Sequence, residues 1–209
     1  MLTRFKLEVK LDEKLVQKLK NIWNTEYADV YDDLYFSEDS LSENELEADL
    51  DDLLKSRTQD ESSNYKHNFY IGLSFCNAVF PSLEGNLNDD LLHSFELFLK
   101  IIQESDQIGG EDLPSLPDID DVPGIVAESV SVFHDMREMI ESRNYRSSIL
   151  SMIDSCILGG GICHGSSDKR AILNWFLTDV FPCSQIFEAA SYNYSVKTRL
   201  LDGWTYSKV

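Results

Sequence analysis

Gly159–Lys169 (GGGICHGSSDK) is the stretch of this chain richest in side chains that could do chemistry. Three glycines ahead of a helix start could hold an anion on backbone N–H groups, with His164, Ser166 and Lys169 as the side chains of a ligand loop. A phosphate loop needs Gly-Lys-Ser/Thr directly at the helix start, and that order is missing here. Ser166-x-x-Lys169 has the form of a Ser/Lys nucleophile pair, but two fixed residues in four recur by chance. The plainer reading is a helix C-cap at the glycines followed by an N-cap at Ser166 or Ser167.

Other constellations are weaker. Cys156, Cys163, His164 and Cys183 resemble a metal set, yet structural zinc sites pair ligands two to four residues apart, and the close pair here is adjacent. Asp118-Ile-Asp120-Asp121-Val-Pro-Gly124 begins like a calcium loop, but the glycine expected at its sixth position is Pro123 and the glutamate at its twelfth is Ser129. His134 and Asp135, as neighbours on a helix, do not face each other. No catalytic residue, metal or cofactor is therefore expected; an enzyme or ligand-binding protein using the Gly159–Lys169 loop is kept as the alternative.

Charge is more informative than any motif. The 209 residues carry a formal net charge of −19, and the excess sits in two segments. Residues 26–61 hold fourteen acids against Lys55 and Arg57, and residues 104–128 hold eight acids and no base. The rest of the chain is balanced. Such a surface disfavours direct binding to nucleic acid, whose affinity comes from cations displacing counterions. It disfavours anionic membranes as well, and it favours a basic protein: a toxin, a nuclease or a nucleic-acid-binding protein. The expected contact residues are Asp32, Asp33, Tyr35, Glu43, Glu47, Asp49, Asp51, Asp52, Asp118, Asp120 and Asp121, with Tyr31 and Phe36 as further aromatic anchors. Neutralisation of that partner, in the manner of an immunity protein, an antitoxin or an anti-defence inhibitor, is the leading functional expectation. Imitation of nucleic-acid charge is a narrower form of it, and a structural subunit of a larger assembly is a third reading.

The elements that must carry these residues are helical. Apolar side chains recur at helix spacing from Glu13 to Asn24, with Asp12 as cap, and from Glu43 through Leu46, Leu50, Leu53 and Leu54, with Ser42 and Glu45 as a capping box. Residues 25–41 show a helical aromatic stripe. Thr58–Lys66 reads as a loop, and His67–Phe80 as a buried helix ended by Pro81, with a strand as its alternative. Asn88 caps a helix to about Ser105, and Asp106–Pro123 reads as a long loop. Further helices are expected from Pro123 to Ser142 (Ile125 on the inner stripe), from Tyr145 to Leu158, from Ser166 or Ser167 to Pro182, over Ile186–Ala190 and over Val196–Trp204. The sum is a mainly α, single-domain bundle of seven to nine helices over residues 1–209, with one short N-terminal strand suggested by the period-2 run Arg4–Leu11. Scattered cysteines, no apolar run of membrane length and no signal-like N-terminus place it in the cytoplasm.

Overall fold

The computed structural model describes residues 10–25, 27, 43–56, 61–143, 145–159 and 169–190. They form a mainly α bundle of seven helical rods, with no strand among the described residues. The rods are α1 (Glu13–Asn24), α2 (Glu43–Lys55), α3 (Glu61–Glu84), α4 (Asp89–Glu104), α5 (Ala127–Ser142), α6 (Tyr145–Ile153) and a C-terminal run. That run consists of α7 (Lys169–Trp175), a π-helical turn Phe176–Val180 and α8 (Phe181–Ser184). A second π turn, Asp154–Gly159, extends α6.

α3 is the axis. α4, α5, α6 and the C-terminal run all pack on it, which is why its sequence is apolar nearly all round: Phe69, Ile71, Leu73, Phe75, Cys76, Ala78 and Val79 are buried. Gly72 lets α5 and α6 approach closely, since a Cβ there would lie 2.5 Å from the Met136 sulfur and 3.3 Å from the Met152 methyl. Phe133 of α5 meets Phe95 and Phe98 of α4 edge-on at centroid distances of 5.1 and 5.6 Å, and Phe75 stacks on Phe176 at 6.0 Å. Each such buried ring stabilises the fold by about 1.5–3 kcal/mol relative to its exposure. One contiguous core joins all these elements.

The caps follow the sequence. Asp12 accepts from the Lys14 amide at 2.9 Å and Asn88 from the Leu91 amide at 3.0 Å. At the other end of α1, the Arg170 guanidinium donates to the carbonyls of Trp23 and Thr25, tying α7 to α1.

Several boundaries differ from expectation. α3 begins at Glu61 rather than at His67, because Tyr65 packs against Phe69 and Tyr145 at 5.8 and 5.3 Å and so extends the helix. Pro81 lies inside α3 and does not end it; it forfeits one amide donor, while Leu83 is fully buried and holds the last turn in place. Pro182 likewise lies within the C-terminal run, in the first turn of α8 directly after the π turn, where a missing N–H costs least. Residues 185–190 form a turn and an irregular segment rather than a helix, with Phe187 left-handed at φ 57°. Asp106–Pro123 is not structureless: it contains the 3₁₀ turns Gly110–Asp112 and Ile119–Asp121, and Ile108 and Leu113 anchor it in the core. Arg4–Val9, the stripe at 28–41, the capping-box residue Ser42 and Val196–Trp204 lie outside the described residues.

Candidate functional site

The acids of α2 divide into two sets. Leu46, Leu50, Leu53 and Leu54 turn one face of this helix into the core, against α1 and α6. That orientation aims three acids at neighbours. Asp52 receives Lys18 of α1 at 2.6 Å and stays 66% exposed. Asp51, only 14% exposed, receives Lys55 at 2.7 Å and both Nε and an Nη of Arg146 from α6. Asp49 accepts from the fully buried Tyr27 hydroxyl at 2.6 Å. Burial foremost, and then the Asp49 carboxylate, raises the Tyr27 phenol well above its ordinary value. Burial on its own would raise the Asp51 carboxyl, but the hydrogen bonds and charges of Lys55 and Arg146 together outweigh it and hold it below the ordinary carboxylate range. Glu45 and Glu47 face solvent with no ion pair among the described residues. Glu43 begins the helix.

The second acidic segment is built differently. His134 Nε2 donates to the Pro117 carbonyl at 2.9 Å, and Arg137, paired with Glu141 at 3.0 Å, donates to the Pro114 carbonyl. These two α5 side chains pin the loop by its backbone, while at its start Asp106 pairs with Lys66 of α3 at 3.5 Å and Asp112 accepts from the Gly109 amide at 3.1 Å. Asp118, Asp120 and Asp121 are exposed and have no ion pair among the described residues. Beside them in sequence, Ile119 is 42% and Ile125 is 69% exposed. Ile125 departs from the inner stripe expected of α5 because it sits in the 3₁₀ turn Gly124–Val126, where the 3.6-residue period does not apply.

Between α2 and α6 runs a groove of about 390 Å³ lined by Glu47, Leu50, Ser147, Leu150, Ser151, Ile153 and Asp154. Its two carboxylates and two serines suit a cationic group better than an anion. Among the described residues no cluster of three or more His, Cys, Asp or Glu side chains could hold a metal ion. Cys76 and Cys156 are core residues, and the Cys76 thiol is free. No described helix is long and apolar enough to cross a membrane.

Of the residues singled out by sequence, the structure brings Glu47, Asp49, Asp51 and Asp52 together on α2, and Asp118, Asp120 and Asp121 together on the loop over α5. Asp32, Asp33, Tyr35, His164 and Ser166 lie outside the described residues, and Lys169 is described only as the start of α7. Tyr27, Lys18 and Arg146 escaped the sequence reading as partners of the acids. Arg146 lies 95 residues from Asp51, and nothing local marks it. Comparison with family models, with curated proteins and with solved structures finds no match.

Proposed function

We propose that this chain is a protein-binding module that docks an acidic surface on a basic partner and neutralises it, as an immunity protein or antitoxin does a toxin, or an anti-defence inhibitor a nuclease. The observation that carries this reading is the clustering of the negative charge: twenty-two of thirty-seven acids fall in two segments that hold two bases. Carboxylates left unpaired at a surface raise encounter rates with a basic partner and fix its register. Ile119 and Ile125, exposed beside Asp118, Asp120 and Asp121, offer apolar contact within a charged rim.

Plain inhibition is favoured over imitation of DNA. α2 has six acids in 13 residues, or about 20 Å of helix, against one charge per roughly 1.7 Å of duplex. Three of those six are engaged inside the molecule.

The test is capture by the tagged full chain from the native host, washed across a salt series, with bound proteins identified by mass spectrometry. The expected result is one basic protein that is released as salt rises. Recovery of nothing, or of an assembly indifferent to salt, would overturn the proposal.

A further inference from the structure

α5 packs against both α3 and α6, and Asp135 sits on α5 with its Oδ2 atom buried and without a hydrogen-bond partner. The Ser151 hydroxyl of α6 donates to this carboxyl. The carboxylates that act on it are Glu138 and Glu128 from its own helix and Asp154 from the π turn that follows α6. From α3 it faces the fully buried Cys76, whose thiol is pushed upward by burial first and by the Asp135 charge second. Apart from the Ser151 hydroxyl, none of these groups favours a negative charge, and a buried oxygen without a donor is costly when it is charged.

We propose that Asp135 is a proton-operated switch in the bundle: as a neutral carboxylic acid it is accommodated between α3 and α6, and on ionising it loosens that packing. The neutral form supplies its own O–H donor, and it removes the repulsion from Glu138, Asp154 and Glu128. Burial first, and then these carboxylates, raises the Asp135 carboxyl to about 6, against the downward pull of Ser151. Because the folded form holds the proton more tightly than the unfolded chain, the stabilisation is fully present below the ordinary carboxylate range and is lost as pH rises through about 6. α6 also bears Arg146, which holds Asp51 of α2. Loosening α6 at neutral pH therefore relaxes the acidic helix from its far side.

Two measurements on the full chain test this. Carboxyl-carbon NMR should show Asp135 titrating near pH 6, and Ser151→Ala, which removes the one donor, should move that midpoint higher. Asp135→Asn should melt above the wild type near about pH 8 by a margin that shrinks to nothing near about pH 3. An Asp135 carboxyl that titrates at about 4, where unperturbed aspartates do, would overturn the switch. So would a melting difference that does not change with pH.

Discussion

The two acidic regions look alike in sequence and are put to different use. On α2 the carboxylates of Asp49, Asp51 and Asp52 are ties to Tyr27, to Lys55 and Arg146, and to Lys18. In the loop over α5, His134 and Arg137 hold backbone carbonyls and, among the described residues, only Asp106, paired with Lys66, and Asp112, capping Gly109, are tied by their carboxylates, which leaves Asp118, Asp120 and Asp121 exposed. Charge density along a sequence therefore overstates the charge a partner can use. The acids that a second chain can engage at no cost to the fold are Glu45, Glu47 and the loop aspartates, whereas reversing Asp51 would alter the protein itself.

The contrast can be broken in stages. Leu50→Ala removes a fully buried side chain that seats α2 and should cost about 2–5 kcal/mol, read by urea unfolding. If the cost is negligible, α2 is not docked and its acids are not ties. Tyr27→Phe keeps the ring but deletes the bond to Asp49, and a loss of about 1–2 kcal/mol is expected. Asp51→Asn should cost about 1 kcal/mol at neutral pH, the pair being only partly shielded from water. The depressed Asp51 carboxyl contributes stability that is present above the ordinary carboxylate range and is lost as pH falls through its folded value. The difference between Asp51→Asn and the wild type should hold from neutral pH down to about pH 4, the opposite slope to that expected for Asp135→Asn. The smallest effect on stability belongs to the combined change Asp118→Lys, Asp120→Lys and Asp121→Lys, which should stay within about 0.5 kcal/mol.

Much of the scaffold was legible in the residues. The Asp12 and Asn88 caps, the four leucines of α2 and the Phe95, Phe98, Leu99 and Ile102 stripe of α4 are local patterns, and local patterns survive folding. The misreadings arise where tertiary contact overrides a local rule. Pro81 and Pro182 stay within helical runs because the residues beyond them are buried, and Tyr65 extends α3 through a polar stretch by packing on Tyr145. Phe187 reads as helical by composition yet stacks on His67 at 5.1 Å from a left-handed turn. The candidate site was legible as composition only. Lys55, four residues after Asp51, is the one base within α2, and the other ion pairs depend on bases 34 and 95 residues away that nothing local marks.

The most direct test of the central claim compares two versions of the chain in one capture experiment at low salt. The wild type and the Asp118→Lys, Asp120→Lys, Asp121→Lys variant are matched beforehand for melting temperature. A basic protein retained by the first and lost from the second is the predicted result. Equal retention by both would contradict the assignment of the exposed acids as the docking surface.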